Sequence, residues 1–511
     1  MLLWLSGGHL PAQTSLLVKT ATGELQGVSE NHVRIFKGIP YAKAPLGDLR
    51  WKEPQPLLPW KGIRKADQFG ARAMQRFIYK DMMFRSAGVS EDCLYLNVWT
   101  PANSTNQHLP VLVYFHGGGL SAGDGSEWRY DGSAMSRRGV IMVTVNYRLG
   151  IFGFLSHPEL TKESPHRQSG NYGFLDQRAA LLWVKTNISA FGGDPDKVTI
   201  AGQSAGSISV SAHMASPLSK GLFRAAIGES GSILAALPAI PLVQAEQNGM
   251  KFCQFNNLTS LKDLRQLSAD QLLEITARDG SPGFSPTIDG YFLPASPMDI
   301  FATGLQTDIP LLAGWTSAEV TYHRLFGSDE LTIENYQKKI KLLYPEKSDE
   351  VLKFYPATSN ETLLQSATDL ASDRYIAYST WKWLDLHAKT SGSTVYRYLF
   401  AKKHPPLVDS AKGNKTLLLG APHSSDIEYA LGNLSSNKVY AWTAIDDSVS
   451  NIMQSYFVNF IAKGDPNADG LPYWPGMQSS IPKVMVLDSL TQAQPEKNLR
   501  RYVFLDQFYY K

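Results

Sequence analysis

The stretch Val198-Thr-Ile-Ala-Gly202-Gln203-Ser204-Ala205-Gly206-Ser207 decides the fold of this 511-residue chain. An apolar segment runs into Gly-x-Ser-x-Gly and continues as a helix-compatible segment. Glycines at 202 and 206 permit a sharp turn between a strand and a helix, because a Cβ atom there would clash with its neighbours. Such a turn presents Ser204 Oγ beside a helix N-terminus, whose dipole favours an oxyanion. The pattern predicts a nucleophilic serine, and the alternative is a chance glycine-rich turn.

The segments on either side of this turn predict an α/β fold. Near-continuous apolar runs, separated by helical spacing as in Asp176 to Phe191, indicate a parallel sheet buried on both faces. Besides 198–202, the predicted strands cover residues 109–116, 140–146, 225–229, 309–314 and 394–400. The intervals 232–306 and 330–390 carry mostly helical patterns and are predicted to be insertions over the carboxyl edge of the sheet. Since there is no repeat and no long linker, residues 14–511 are predicted to form a single domain.

The composition excludes several classes of function. Lys and Arg number 49 against 46 for Asp and Glu, a net charge of +3, and the basic doublets are isolated, so no nucleic-acid partner is predicted. No apolar run reaches ~18 residues, so no integral membrane segment is predicted. Two cysteines, Cys93 and Cys253, exclude a disulfide scaffold and are predicted to be free, mostly buried thiols. No metal-ligand motif occurs, so neither a metal nor another cofactor is predicted. The sequence does not decide the oligomeric state.

The first thirteen residues predict export. Met1 to Ser6, followed by Pro11-Ala12-Gln13, resembles the end of a secretory signal peptide with a small-residue cleavage site, although the basic n-region is missing. Residues 1–13 are therefore interpreted as a signal-peptide remnant. The prediction is a secreted or periplasmic bacterial protein, with a cytoplasmic protein as the alternative.

A triple glycine, Gly117-Gly118-Gly119, ends the predicted strand 109–116. Acyl transfer needs backbone N–H donors aimed at the developing oxyanion, and consecutive glycines let the backbone approach a substrate closely. The same residues formally fit the dinucleotide fingerprint G-x-G-x-x-A. That fingerprint should open a helix and be followed by an acid about 20 residues later. The loop is a poor helix start and no acid occurs between Asp131 and Glu159, so the nicotinamide interpretation is rejected.

A serine nucleophile needs a histidine base and an orienting acid, in the chain order Ser, acid, His. Of the histidines beyond the 309–314 strand, His423 lies in a long loop after the 394–400 strand, which is the position that the topology requires. The other histidines there are His323, His387 and His404. Glu319 directly follows the 309–314 strand and is the predicted acid, with Asp329 and Glu330 as the main rivals.

The chain resembles the type-B carboxylesterases, the family that also contains the cholinesterases and bacterial p-nitrobenzyl esterases. The resemblance begins at about Val18 and covers nearly the whole chain. Besides the triple glycine and the Ser204 turn, the matching motifs are Phe36-Lys-Gly-Ile-Pro-Tyr-Ala42, Pro45-Leu-Gly-Asp-Leu-Arg-Trp51, Ser90-Glu-Asp-Cys-Leu-Tyr-Leu-Asn97, Asn146-Tyr-Arg148, Gly170-Asn-Tyr-Gly173 and Phe191-Gly-Gly-Asp-Pro195.

The resemblance implies an α/β-hydrolase fold with a large, mostly parallel central sheet, helices on both faces and long helical insertions over the active site. It implies a Ser-His-Glu triad of Ser204, His423 and Glu319. The oxyanion donors that it implies are the backbone amides of Gly118, Gly119 and Ala205.

Four departures from the family pattern limit what the resemblance implies. The segment Phe69 to Met74 lacks the cysteine that usually pairs with the one at Cys93. The triad acid stands in Ala-Glu-Val rather than Asp-Glu-Gly. Gln203 replaces the glutamate that often precedes the nucleophile, and 79–89 holds no tryptophan, the aromatic residue of choline-selective members.

These residues predict a serine carboxylic-ester hydrolase that acts on small neutral alkyl or aryl esters rather than on cationic esters. The helical intervals are expected to form the walls that select the substrate. The alternative is a catalytically silent module that serves in adhesion or binding, as in family members that have lost a triad residue.

Overall fold

An eleven-stranded sheet organises the chain in the computed structural model, which describes residues 16–408, 419–478 and 482–509. The strands are β1 (Leu17–Thr20), β2 (Gly23–Gln26), β3 (Val28–Glu30), β4 (Val33–Pro40), β5 (Ile63–Lys65), β6 (Arg72–Ala73), β7 (Val89–Ser90), β8 (Tyr95–Thr100), β9 (Leu109–Phe115), β10 (Ile141–Val145), β11 (Gly193–Gln203), β12 (Ala225–Glu229), β13 (Ile240–Pro241), β14 (Thr287–Ile288), β15 (Leu311–Thr316), β16 (Val395–Phe400), β17 (Lys483–Leu487) and β18 (Gln492–Pro495).

The strand order in the large sheet is β18-β17-β16-β15-β12-β11-β9-β10-β8-β4-β3. The strands from β17 to β10 in this order pair in parallel, and those at the two edges pair antiparallel. The carboxyl ends of the parallel strands therefore meet at one edge of the sheet, where the loops that follow them lie close together.

The α-helices cover both faces of the sheet. They are α1 (Ser133–Arg137), α2 (Gly150–Phe154), α3 (Pro158–Glu163), α4 (Tyr172–Asn187), α5 (Ala205–Ala215), α6 (Leu242–Phe255), α7 (Leu261–Gln266), α8 (Ala269–Thr276), α9 (Pro297–Ala302), α10 (His323–Phe326), α11 (Ile333–Leu343), α12 (Ser348–Phe354), α13 (Asn360–Ser372), α14 (Tyr378–Thr390), α15 (Ile427–Leu431), α16 (Ala444–Lys463) and α17 (Leu499–Tyr509).

Strand β9 shows why helices are needed on both faces. Its side chains at 111, 113 and 115 enter one apolar core with residues of α4, α5 and α14. Those at 112 and 114 enter a second core with residues of α1, α15 and α16. Successive side chains of a strand point to opposite faces, so an uninterrupted apolar strand must bury both faces.

Helix α16, the longest in the described residues, has clear boundary signals. It begins after Thr443, whose hydroxyl accepts from the N–H of Asp446 while the Asp446 carboxylate accepts from the N–H of Thr443. It ends at Gly464, which is left-handed, with φ of 76°. The Thr443 hydroxyl thus satisfies a helix N–H at one end, and the N–H of Gly464 satisfies the carbonyl of Phe460 at the other.

The α/β fold with a mostly parallel sheet is confirmed. The predicted strand 225–229 has the observed bounds, the predicted strands 109–116 and 394–400 each differ from the observed strand by one residue at one end, and 140–146 is one residue too long at both ends. The helix predicted over 176–191 is α4 followed by one 3₁₀ turn, Ile188–Phe191. Strand β11 begins five residues before its apolar part, because Gly193 continues the ladder with β9 across an irregularity.

The two helical intervals differ in their relation to the sheet. Residues 232–306 contain α6 to α9 and the short β13–β14 pair. Residues 330–390 contain α11 to α14, but α14 packs against β15 and β16 and so belongs to the layer that covers the sheet. The division into a single domain with two excursions stays a prediction.

Three predictions made from composition concern the free cysteines, the membrane segment and the N-terminal signal. Cys93 and Cys253 are both free and buried, as predicted. Within 16–408, 419–478 and 482–509, no helix combines the length and apolar character needed to cross a membrane. The interpreted signal-peptide remnant, residues 1–13, lies outside the described residues, so export stays a prediction from sequence.

Candidate active site

Ser204 lies in a strained turn between β11 and α5. Its backbone angles are φ 57° and ψ −119°, a combination that residues with a Cβ atom rarely adopt. The N–H of Ser204 donates to the carbonyl of Glu229, at the end of β12, over 2.8 Å. A Cβ atom on Gly202 or Gly206 would overlap the carbonyl oxygen of Phe115 in β9. The two glycines therefore allow β9, β11 and α5 to meet directly beneath the serine.

The glycine loop that follows β9 lies against this turn. A Cβ atom on Gly117 would clash with the backbone that precedes Ser204, and Gly118 and Gly119 have φ of +105° and +63°. Among the described residues, the N–H groups of Gly118, Gly119 and Ala205 donate to no protein acceptor. Backbone N–H groups without a partner are rare inside proteins, and those in the first turn of a helix have no acceptor within it. Three donors near Ser204 are thus free to bind a ligand oxygen.

Glu319 and His423 come from the loops that follow β15 and β16. The N–H of Ala318 donates to the carbonyl of Ala421 over 2.9 Å, and a parallel bridge pairs Ala318 with Pro422. The two loops therefore run side by side. As a result, Oε2 of Glu319 lies 2.5 Å from Nδ1 of His423.

Two further donors fix the Glu319 carboxylate. Its Oε1 accepts from the N–H of Thr316 and from the hydroxyl of Ser230, each over 2.7 Å. The residue is only 2% exposed. A carboxylate held in this way keeps a proton on Nδ1 of His423 and leaves the lone pair of Nε2 available to act as a base.

Gln203 contacts the other nitrogen of the same imidazole. Its Nε2 lies 3.3 Å from Nε2 of His423, and its Oε1 accepts from the hydroxyl of Ser424 over 3.1 Å. The amide is therefore a donor to the lone pair of the imidazole. Ser204 makes no hydrogen bond to His423 in this arrangement, although both line one cavity. Contacts between a nucleophile and its base often shorten only when substrate binds.

Opposing effects act on the pKa of His423. Burial lowers the pKa of the imidazole, whereas the charge and hydrogen bond of Glu319 raise it, with smaller contributions from Asp426 and Asp81. The net result is a pKa above the ordinary value of 6.5. The neutral imidazole, which can accept a proton, therefore dominates only above that raised pKa.

The cavity over Ser204 has a volume of about 350 Å³. Besides Ser204 and His423 it is lined by Tyr79, Asp81, Met82, Gly117, Gly118, Gly119, Arg129, Tyr130, Gln203 and Ser424. Arg129 Nη2 donates to the Asp81 carboxylate over 3.0 Å and to its backbone carbonyl over 2.8 Å. Arg129 Nε also donates to the Glu127 carboxylate, over 2.7 Å. One guanidinium thus lies between two acids at the wall of the cavity.

The residues of this wall differ from those predicted. The two helical intervals were predicted to form the walls, but the lining residues come from the loop around Tyr79 to Met82 and from Arg129 and Tyr130. Leu273, Thr276 and Phe284, from the first interval, instead line a neighbouring cavity of about 240 Å³ next to Ser121. The segment 79–89 contains no tryptophan, and no motif in the sequence distinguishes the three of its residues that line the cavity, Tyr79, Asp81 and Met82.

The rival acids and histidines lie elsewhere. Asp329 forms an ion pair with Lys339, with 2.7 Å between the charged atoms, and Glu330 is exposed. His387 contacts the carbonyl of Ile309 over 2.8 Å. The two other rival histidines, His404 and His323, stack on tyrosines.

Comparison with known proteins identifies the relatives of the chain. The sequence model of the carboxylesterase family matches residues 14–504. A para-nitrobenzyl esterase of Bacillus subtilis is 35% identical over 510 residues, which cover 96% of this chain and 99% of that protein. A fumonisin B1 esterase of Sphingopyxis macrogoltabida is 34% identical over 484 residues, covering 90% of this chain and 84% of that protein. The crystal structure of a Geobacillus stearothermophilus carboxylesterase has a TM-score of 0.81 at 31% identity, covering 96% of this chain and 99% of that one. The resemblance predicted from the motifs is confirmed.

The contact between Glu319 and His423 makes the pKa of His423 testable without an activity assay. A Glu319→Gln substitution removes the negative charge at Nδ1, so the imidazolium loses its main stabilising partner. We expect the pKa of His423, followed by NMR of histidine-labelled protein, to fall by about 1 unit or more. Asp329→Asn is the matched control and should leave the pKa unchanged. A larger fall in the control than in Glu319→Gln would make the rival acid the partner.

Proposed function

The chain belongs to the carboxylesterase family and is a hydrolase of carboxylic esters, and we propose that Ser204 carries this reaction through an acyl-enzyme. In this proposal His423 is the base and Glu319 is the acid that orients it. The oxyanion donors are the backbone amides of Gly118, Gly119 and Ala205. One observation carries the proposal. Ser204, His423 and the two glycines line the same cavity, and His423 Nδ1 lies 2.5 Å from Glu319.

In the acylation step, Nε2 of His423 removes the proton from Ser204 as Oγ forms a bond to the carbonyl carbon of the ester. The imidazolium that forms is stabilised by its hydrogen bond from Nδ1 to the Glu319 carboxylate. Because Gln203 also contacts Nε2, the proposal requires the Ser204 hydroxyl to replace that amide as the donor to the lone pair when substrate binds.

The carbonyl oxygen becomes an oxyanion in the tetrahedral intermediate. The N–H groups of Gly118, Gly119 and Ala205 donate to no acceptor in the described part of the chain, so they can donate to this oxyanion without first breaking another hydrogen bond. When the intermediate collapses, the bond to the alcohol oxygen breaks and His423 returns its proton to the leaving alcohol. Water then attacks the acyl-enzyme with the same base, which releases the acid and restores Ser204.

The charges around the cavity support neutral alkyl or aryl esters as the substrates. Asp81 lines the cavity, but Arg129 binds both its carboxylate and its carbonyl. Burial raises the pKa of Glu127, the second acid on Arg129, to about 7. The three groups therefore leave little uncompensated negative charge for a cation, and Gln203 adds none. The non-catalytic alternative is not favoured, because the matched relatives are esterases and no triad candidate is missing.

Removal of the nucleophile tests the mechanism. We expect Ser204→Ala to abolish turnover of p-nitrophenyl butyrate, leaving only what the oxyanion donors and binding supply. A slow substrate should add the mass of its acyl group to the peptide that contains Ser204 in the wild type and not in the variant. Equal rates in the wild type and in a folded variant would overturn the acyl-enzyme on Ser204.

The oxyanion assignment is tested at Gly119. An alanine there must adopt φ of +63° and would bring its Cβ to 3.1 Å from the hydroxyl of Tyr79, so the N–H has to move. Loss of one oxyanion donor typically costs about 3 kcal/mol, so we expect kcat to fall about 100-fold or more with little change in KM. Gly88→Ala is the matched control, since Gly88 has open space around its Cβ position. An unchanged kcat in Gly119→Ala would refute the assignment.

Substrate charge is tested with a matched pair of thioesters. We expect kcat/KM for a neutral thioester to exceed that for acetylthiocholine of similar size, because Arg129 compensates Asp81. Arg129→Gln would expose the Asp81 charge and should improve the relative use of the cation. A wild-type preference above tenfold for acetylthiocholine, about 1.4 kcal/mol, would show that the cavity binds cations.

A further inference from the structure

Two buried carboxyl groups that the mechanism does not use lie behind the imidazole. Glu229 ends β12, and its backbone carbonyl accepts the N–H of Ser204. Asp426 follows His423 by three residues and directly precedes α15. Both side chains have 0% exposure. They therefore lack the solvent that would ordinarily stabilise two negative charges.

Each carboxyl group has one phenol donor and one oxygen without a partner. Tyr114 donates to Glu229 Oε1 over 3.1 Å, and Tyr398 donates to Asp426 Oδ2 over 3.0 Å. Glu229 Oε2 and Asp426 Oδ1 are buried and have no hydrogen-bond donor among the described residues. Neither group forms an ion pair with a Lys or Arg of the described ranges. A fully ionised, unpaired carboxylate in such a place is strongly unfavourable.

The electrostatics point to a proton in this pair. Burial raises the pKa of Glu229 well above its ordinary range, and the charge of Asp426 raises it further. Burial, followed by the charge of Glu319, raises the pKa of Asp426 to about 7, while His423 acts to lower it. Two neighbouring carboxyl groups that cannot both ionise share protons as a unit.

The surroundings of Glu229 and Asp426 differ enough to show which of the two carboxyl groups holds the proton. Asp426 follows His423 in the same loop, and the imidazolium of His423 would stabilise a negative charge on it. Glu229 has only the phenol of Tyr114. We propose that Glu229 and Asp426 form a buried carboxyl pair that holds one proton, on Glu229, and one negative charge, on Asp426, and that this charge makes Asp426 a positioning residue that stabilises the imidazolium of His423.

The titratable groups that face the pair come from every element packed around it. They are Glu319 after β15, His423 in the same loop as Asp426, Tyr114 in β9, Tyr398 in β16 and, beyond Tyr114, Tyr130. The only one of these groups that can carry a positive charge is His423. The proposal rests on the proposed role of His423 as base, because the charge on Asp426 acts on the reaction through that imidazole.

The first experiment replaces the charge with a neutral group of the same shape. Removing a negative charge disfavours the imidazolium, so Asp426→Asn should lower the pKa of His423. The neutral base then persists to lower pH. The acid limb is the decrease of kcat/KM at low pH. For p-nitrophenyl butyrate we expect the midpoint of this acid limb to move to a lower pH by roughly 0.5 to 1 pH unit, and the plateau kcat to fall several-fold. A folded Asp426→Asn variant with the wild-type acid limb would overturn the proposal.

The second experiment replaces the protonated partner. Glu229→Gln keeps a neutral side chain of similar shape, so it should retain the acid limb of the wild type within about 0.2 unit. If the charge instead lay on Glu229, this variant would show the downward shift. Loss of stability in both variants, with no shift of the acid limb in either, would reduce the pair to a structural role and contradict the proposal.

A spectroscopic measurement does not depend on activity. Because other buried carboxyl groups such as Glu127 can also be protonated near neutral pH, the measurement is the difference spectrum of the wild type minus Glu229→Gln, which should contain the infrared C=O band of a buried carboxylic acid. Absence of this band from the difference spectrum overturns the proton assignment even where Asp426→Asn fails to fold. If Ser204→Ala kept full activity while the difference spectrum contained the band, the proposed function would fail and the proton assignment would stand.

Discussion

The close approach of Gly202 and Gly206 to the carbonyl of Phe115 is the contact on which the rest of the site depends. It allows the last residue of β11 to turn sharply into α5 and keeps Ser204 at a positive φ. A side chain at either glycine would separate α5 from β9. The glycine loop after β9 would then move away from the serine, and so would the free amides of Gly118 and Gly119. The nucleophile and the oxyanion donors are thus positioned by one packing constraint rather than by independent ones.

A parallel sheet supplies the remaining groups at the same edge. Glu229, Glu319 and His423 follow or end β12, β15 and β16, which are neighbours in the sheet. Adjacent parallel strands bring their carboxyl ends within side-chain reach even when the sequence separation exceeds a hundred residues. The bridge between Ala318 and Pro422 then sets the final distance between Glu319 and His423. The order of strands therefore brings the site residues to one edge of the sheet, and local contacts fix the distances between them.

The distinction between strand order and local contacts explains which parts of the fold and the site the sequence could predict. The fold followed from apolar runs such as 225–229, because a strand buried on both faces has few other patterns available. Ser204, Glu319 and His423 could be named because each stands immediately after a recognisable strand or in a loop that the topology requires, and the family motifs agreed. The Tyr79 to Met82 wall and the Arg129 contact could not, since they arise where two long loops meet. The facing of Glu229 and Asp426 depends in the same way on which strands are neighbours.

The charges near the imidazole together determine whether His423 is neutral or protonated. The charges of Glu319, Asp426 and Asp81 favour the imidazolium of His423, and each further negative charge near them would extend the charged state of this base to higher pH. A base in that state cannot accept the proton of Ser204. If Glu229 keeps a proton, the charges that act on the imidazole are Glu319, which contacts Nδ1, and Asp426 and Asp81, which form no hydrogen bond with it. These charges stabilise the imidazolium once it forms and still let it release its proton to the leaving alcohol. Gln203, which contacts Nε2, is neutral and adds no negative charge there.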